Sequence, residues 1–392
     1  MKYRRFGKLD WQVSALGFGC MRLPVGGDDP AEIDEPEATR MLHHAIDHGV
    51  NYVDTAYPYH GGNSERFVGR ALKGGYRAKV RLATKLPCWL VETREDFDKY
   101  LNEQLEKLQT TYVDFYLLHG LRESRWSKMR SLDAIGWAEG AMADGRIRHL
   151  GFSFHDDYEV FKEIVDAYDW TFCQIQHNYV DVAYQAGTKG LQYAASRGLA
   201  VVIMEPLLGG QLVGPPRQIE ELWHTAARKR TPADWALQWL WNQPEVSVVL
   251  SGMSTMEQIE ENLVSAGASR VGTLTEEELA LVGRVRDKYR ELSPIPCTQC
   301  GYCMPCPNDV NIPRNLRVFN DGLVHEKAEH ARRIYTWLSG SQQAGADLCI
   351  QCRECEDKCP QGIAVSEWMP VVHEVLGVGK SYAECSFPPG QR

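Results

Sequence analysis

The sequence predicts a closed (β/α)8 barrel followed by a smaller, cysteine-rich domain. Three observations carry this. Residues 15–263 alternate eight short apolar runs with stretches of helical period; no GxGxxG fingerprint of an open doubly wound sheet follows the first run; and eight of the 12 cysteines fall in two tight groups beyond residue 296. Strand–helix alternation implies parallel neighbours, because a parallel pair needs a crossover connection. Eight such units is the count of a closed barrel.

The segment KYRRFGKLDWQVS (2–14) reads as a hairpin closing the barrel's bottom. The eight strands are ALGFGCM (15–21), NYVDTA (51–56), KVRLATK (79–85), YVDFYLL (112–118), IRHLGFS (147–153), FCQIQ (172–176), LAVVIM (199–204) and VSVVL (246–250). Helical period marks 36–48, 64–72, 96–108, 126–144, 157–167, 189–197, 231–241 and a last helix from Ser254. Residues 275–292 then form an amphipathic helix with a Thr cap and an acidic first turn. Ser293, Pro294 and Pro296 break the pattern, which places the domain boundary between 1–292 and 293–392.

With 44% hydrophobic and 24% charged residues, the composition is that of an ordinary globular protein. A net charge of −9 without a basic block argues against a nucleic-acid partner. The N-terminal stretch carries no apolar core with a small-residue cleavage site, and no run of about 18 apolar residues marks a membrane span. The expected location is cytoplasmic.

Four polar residues stand at or just beyond the carboxyl ends of three successive strands: Asp54, Lys85, His119, and Tyr59 in the loop after Asp54. Functional groups of such barrels collect at that face. A phenol titrates near pH 10, but a nearby ammonium such as Lys85 stabilises the phenolate. Asp54 would keep the ammonium charged as its ion-pair partner, and His119 would donate to a substrate carbonyl oxygen. Such a set protonates an oxygen while hydride reaches the carbon. Taken singly, each residue also reads as structural; their joint order favours the site.

Residues 1–290 resemble the aldo/keto reductase family through DTAYPYHG, LATK, LLHG, the GFS turn and the late EEN. The resemblance implies a catalytic tetrad of Asp54, Tyr59, Lys85 and His119, with Tyr59 as proton donor. It implies a nicotinamide dinucleotide bound across the carboxyl face, with Ser153 and Gln174 on the carboxamide and Glu261 and Asn262 on adenine. The chain departs from the pattern at Phe154, at Met204 where an aromatic stacks on nicotinamide, and at Glu205. Gly252 and Gln258 stand where a Lys and an Arg read the phosphate of NADPH, which weakens that preference and leaves NADH or a flavin open. The structural reading of VIMEPLLGG is a strand and its loop, with Gly209 and Gly210 permitting the turn.

Cys349, Cys352, Cys355 and Cys359, followed by Pro360, have the C-x2-C-x2-C-x3-C-P spacing of bacterial ferredoxins. This spacing favours iron–sulfur over zinc, whose sites offer two separated pairs. Cys297, Cys300, Cys303 and Cys306 precede Pro307 with one residue fewer before the fourth cysteine. By analogy with two-cluster ferredoxins, Cys297, Cys300 and Cys303 would join Cys359, and Cys349, Cys352 and Cys355 would join Cys306. Two [4Fe–4S] clusters are expected, or one as the fallback, in a mainly helical ferredoxin-like domain with a helical insert over 310–345. Cys20, Cys88 and Cys173 read as buried small hydrophobes. Trp89, Trp126 and His155 are candidate pocket-lining residues, with simple packing as the alternative.

The expected function is therefore an oxidoreductase that reduces a carbonyl, or oxidises an alcohol, with a nicotinamide cofactor and an attached iron–sulfur module. Hydride moves electrons in pairs, whereas a cubane takes one at a time. A ferredoxin- or flavin-linked electron-transfer enzyme with a protein redox partner is the second expectation, and a non-catalytic redox-responsive module the third. Substrate, reaction direction and oligomeric state do not follow from the sequence.

Overall fold

The computed structural model describes residues 1–27, 29–292, 294–324 and 327–388. A hairpin of β1 (Tyr3–Arg5) and β2 (Gln12–Ser14) precedes eight parallel strands. These are β3 (Leu16–Gly19), β4 (Tyr52–Asp54), β5 (Arg81–Leu86), β6 (Val113–Leu121), β7 (Ile147–Phe154), β8 (Phe172–Gln176), β9 (Ala200–Met204) and β10 (Val246–Ser251). They pair in sequence order, and β10 pairs back onto β3, closing the barrel.

Side-chain alternation explains how the barrel fills. Inward-facing Tyr52, Ala83, Phe115, Leu117, Phe172, Val202 and Val248 form one buried cluster. The hairpin delivers Phe6 into it, with ring centroids 4.7 Å from Phe115, so the interior is a packed core and not a channel. Outward-facing aliphatics meet the apolar stripes of the surrounding helices in a second, larger cluster.

One expected helix differs. The sequence predicts one continuous helix over 126–144, but two helices, Glu123–Ser131 and Ala134–Ala143, stand in its place. Asp133 adopts a left-handed φ of 56° and its carboxylate accepts the Gly136 N–H at 3.3 Å, capping the second helix. An apolar pattern does not reveal such a break, because helical period continues on both sides of it. Helices Tyr76–Lys79, Arg217–His224 and Val365–His373 have no expected counterpart.

The chain divides into two compact units, Met1–Leu207 with Ala233–Leu274, and Leu208–Pro232 with Thr275–Arg392. The first contains the barrel strands. The second contains helices Arg217–His224, Glu276–Leu292, Ile312–Val324, Ala328–Gly340 and Val365–His373. Of the residues at the expected boundary, Ser293 lies outside the described set. The helices beyond Pro294 have their own core, in which Phe319 packs edge-on against Trp368 and Tyr382 and the Tyr382 hydroxyl donates to the Phe319 carbonyl at 2.9 Å.

Within the second unit, Gly209 does more than permit a turn. Its φ is +66°, and a Cβ there would stand 2.3 Å from the Thr298 carbonyl oxygen. Gly210 also has a left-handed φ, but a Cβ would meet open space. Gly209→Ala therefore combines backbone strain of about 1–3 kcal/mol with a backbone clash. We expect it to lower the thermal midpoint by about 4 °C or more, and Gly210→Ala to lower it less; equal midpoints for the two variants would contradict the contact.

Candidate active site

The barrel closes so that β4, β5 and β6 end side by side, with Asp54 opposite Ala83 and Lys85 opposite Leu117. That register brings three candidate side chains together. The Lys85 ammonium donates to Asp54 Oδ1 at 2.6 Å, to the Thr55 carbonyl at 2.8 Å and to the Tyr59 hydroxyl oxygen at 3.3 Å. An ammonium has three N–H donors, and these three oxygens match them. Lys85 is fully buried and Asp54 nearly so. Burial pushes the Asp54 carboxyl up and the Lys85 ammonium down, and the contact between the two opposes both shifts.

Support for this arrangement lies outside the tetrad. The Lys85 carbonyl accepts from Gln104 at 3.0 Å, Gln104 also donates to Glu65 at 2.5 Å, and Tyr116 donates to Gln104 at 2.7 Å. The buried Glu65 carboxyl, pushed up by desolvation, also accepts from Thr84 at 2.6 Å. On the other side, His60 takes a left-handed φ of 52°. Its Nε2 accepts the Leu23 N–H at 3.1 Å, which fixes the tautomer, so Nδ1 donates to the Pro30 carbonyl at 2.6 Å. His60 thereby pins the loop that carries Tyr59, and the only hint of it in the sequence is its place in DTAYPYHG.

His119 sits at an irregularity in β6, where the register with β7 shifts between Leu118 and Leu121. Such bulges re-aim a side chain. The adjoining Gly120, φ +62°, donates its N–H to Ser153 Oγ at 2.8 Å. The His119 ring lies edge-on to Tyr59 at 6.3 Å and 5.1 Å from Trp89. Burial, followed by the charges of Lys85 and Arg125, holds its pKa well below the usual histidine value, so it is neutral at pH 7.

The expected nucleotide contacts lie on β7, β8 and β9, on helix Met256–Ala268 and in the loops after β9 and β10. Ser153 and Gln174 pair across β7 and β8, and Gln174 donates weakly to Met204 Sδ at 3.7 Å across β8 and β9. The Gln174 Oε1 is buried with no hydrogen-bond partner. Glu205 holds a φ of 54° and its carbonyl accepts from Asn178 at 3.4 Å. Gly252 packs beneath Arg22, Gln258 caps its helix through the Ser254 N–H at 2.8 Å, and Asn262 donates to Ser251 Oγ at 3.1 Å. Glu261 lies beside Asn262 on the same helix, Met256–Ala268.

Trp126 is not a loop residue lining a pocket: it is buried within helix Glu123–Ser131, and its indole donates to Glu163 at 3.1 Å. His155 is buried and bonds Gln185 at 3.3 Å. Cys20, Cys88 and Cys173 are fully buried, and burial pushes the Cys88 thiol up to about 12, which suits packing rather than nucleophilic chemistry.

In the second unit the cysteines ring two small cavities. One is lined by Cys297, Cys300, Cys303 and Cys359. The other is lined by Cys306, Cys349, Cys352 and Cys355, with Cys303 bordering both. Among the described residues no three ligating side chains converge as they would on a single metal ion; sets of four around a cavity suit a polynuclear cluster. Burial and the neighbouring cysteines push the Cys303 thiol up to about 12, so its thiolate needs a bound cation to persist. The carbonyl of Cys297 accepts from Gln211, in the loop after β9.

Comparisons with known proteins find matches to both parts of the chain. Residues 296–364 match a 4Fe-4S dicluster domain. An uncharacterized oxidoreductase, YqkF, of Bacillus subtilis is 28% identical over 71% of this chain and 94% of its own, and an L-galactose dehydrogenase of Arabidopsis thaliana is 27% identical over 75% and 97%. Aldo-keto reductase AKR11C1 from Bacillus halodurans, in its holo form, superposes with a TM-score of 0.62 at 27% identity, covering 73% of this chain and 96% of its own. An aldo-keto reductase from Klebsiella pneumoniae in complex with NADPH gives 0.58 at 26% identity, covering 73% and 95%. The aldo/keto reductase family profile matches residues 15–287, most of the sequence, and the chain belongs to the aldo/keto reductase family.

Proposed function

We propose that this oxidoreductase reduces a carbonyl, or oxidises the corresponding alcohol, with Tyr59 as the proton donor and a nicotinamide cofactor. The observation that carries the reading is the Lys85 ammonium, bonded at once to Asp54 and to the Tyr59 hydroxyl. As the carbonyl oxygen gains charge, the phenol gives up its proton, and the adjacent ammonium stabilises the phenolate left behind. Asp54 keeps Lys85 charged in a site that would otherwise favour its neutral form. Neutral His119 donates an N–H to the same oxygen without adding a full charge. Ser153 and Gln174 fit the carboxamide end of a nicotinamide: the buried, unpartnered Gln174 Oε1 is an acceptor in want of an amide donor. A nicotinamide bound there would supply hydride to the carbon.

The two cysteine sets would each hold a [4Fe–4S] cluster, Cys297, Cys300, Cys303 and Cys359 in one and Cys306, Cys349, Cys352 and Cys355 in the other. A second reading, in which a flavin or a ferredoxin-like partner links these clusters to the reaction, rests on the mismatch between a hydride, which moves two electrons, and a cubane, which takes one.

Tyr59→Phe is expected to lower kcat for carbonyl reduction by about 100- to 10,000-fold with iron content unchanged; full turnover would remove Tyr59 from the mechanism. Anaerobic iron and sulfide analysis should give about eight of each per chain, and Cys306→Ser should remove the electron paramagnetic resonance signal of one cluster while leaving the other. Loss of both signals, or of neither, would contradict the two sets.

His119 also ties stability to pH. Its folded pKa is depressed, so above the unfolded value of about 6.5 both states are neutral and its packing is intact. Below that value the unfolded chain takes up a proton that the folded chain refuses, and stability falls with pH. In urea titrations, wild type should therefore lose more stability between pH 7 and pH 5 than His119→Asn; identical losses would show that His119 is not held neutral.

A further inference from the structure

The second unit contains a cavity of about 510 Å³ that none of the preceding roles uses. It lies between the loop after β9 and helices Ile312–Val324 and Ala328–Gly340. Clefts of about 300–1,000 Å³ are the size that takes a cofactor or small ligand.

Its chemistry is mixed. Gly210 and Gly214 line it, and a Cβ at either would meet only open space, so the backbone of the loop faces the opening bare. Arg317, Lys327 and His330 line it from the two helices. One carboxylate, Asp321, lies 3.3 Å from the Arg317 guanidinium and offsets part of that charge, leaving Lys327 as the stronger attraction for an anion. Bare peptide N–H groups beside cations favour phosphate.

An independent observation comes from Asn320, which lines the same cavity and is only 7% exposed. Its Nδ2 donates to the Ile295 carbonyl at 2.6 Å, whereas its Oδ1 is buried with no hydrogen-bond partner. A buried acceptor without a donor is costly to the free protein, by about 1–3 kcal/mol. A hydroxyl or imide N–H on a ligand satisfies it once the cavity wall shifts to admit the donor, because the atom is sealed in the free protein.

We propose that this cavity binds a phosphate ester of nucleotide size. Its phosphate is held by Lys327, Arg317 and the Gly210–Gly214 backbone, and a hydroxyl or N–H of its organic part donates to Asn320 Oδ1. Flavin mononucleotide and the nicotinamide dinucleotides share this chemistry, and the experiment separates them. The proposal does not depend on proton donation by Tyr59.

The test is titration of flavin mononucleotide, NADH, NADPH and inorganic phosphate into the full-length, cluster-loaded protein, with binding read by fluorescence or calorimetry. At least one of the three esters should bind, and Lys327→Glu should weaken it 10-fold or more while Lys327→Arg restores it. Cluster absorbance, unchanged in both variants, shows that the module is folded. Arg317→Ala should weaken the same ligand less, because Asp321 already offsets part of its charge. A loss confined to flavin mononucleotide identifies a flavin site, and a loss confined to NADH or NADPH identifies a nicotinamide site; each supports the proposal. It is overturned if no ester binds, if inorganic phosphate binds as tightly as the esters, or if ester binding is the same in wild type and Lys327→Glu. Repeating the titration in Gln174→Ala, which removes the carboxamide contact proposed in the barrel, separates the two sites: ester binding that persists there and is lost in Lys327→Glu belongs to this cavity, and binding lost in Gln174→Ala but kept in Lys327→Glu belongs to the barrel and overturns the proposal.

Discussion

The contact on which the candidate active site depends is the fully buried Lys85 ammonium, whose three donors are matched by Asp54, the Thr55 carbonyl and Tyr59. Burying an ion is costly, and the cost is tolerable only when its partners are close and every donor is used. The barrel supplies those partners through register, since β4 and β5 run in parallel with Asp54 opposite Ala83, two residues before Lys85. Gln104 and Glu65 hold β5 from behind, and His60 holds the Tyr59 loop from the front. A shift at any of these points would leave an ammonium or a carboxylate buried without its partner. This makes the support of the site as demanding as the site itself.

The second unit poses a different physical problem. Clusters accept single electrons, and a nicotinamide gives two together. The loop after β9 is built into the same compact unit as the cysteine motifs: Gly209 lies against Thr298, and Gln211 bonds the carbonyl of Cys297. The cavity beside that loop is lined by cations and by Asn320, whose Oδ1 has no hydrogen-bond partner.

Much of this is legible in the sequence, for reasons particular to each element. The barrel is legible because eight apolar runs with helical spacers have few other solutions, and Asp54, Lys85 and His119 are legible because they are polar residues closing apolar strands. The two cysteine motifs are legible from their spacing, whereas the exchange of their fourth members comes from the analogy with two-cluster ferredoxins. Long-range and backbone-specific features are not. Nothing local predicts that Asp133 turns left-handed and splits a helix, that His60 bridges Leu23 and Pro30, or that Trp126 faces the core. Nor does a glycine pair disclose that one member touches Thr298 and the other only open space.

The central claim is that Lys85, held charged by Asp54, makes Tyr59 acidic enough to protonate the substrate. The most direct measurement is single-turnover reduction of an activated aldehyde by nicotinamide-loaded Lys85→Met, with Tyr59 intact and cofactor binding verified separately. The rate should fall by about 100-fold or more, and the decline of the rate with rising pH should begin at higher pH in Lys85→Met than in wild type, because the variant's phenol has lost the cation that favours its ionised form. A rate within a few-fold of wild type, at unchanged cofactor affinity, would contradict the claim and leave the buried ion pair as structure alone.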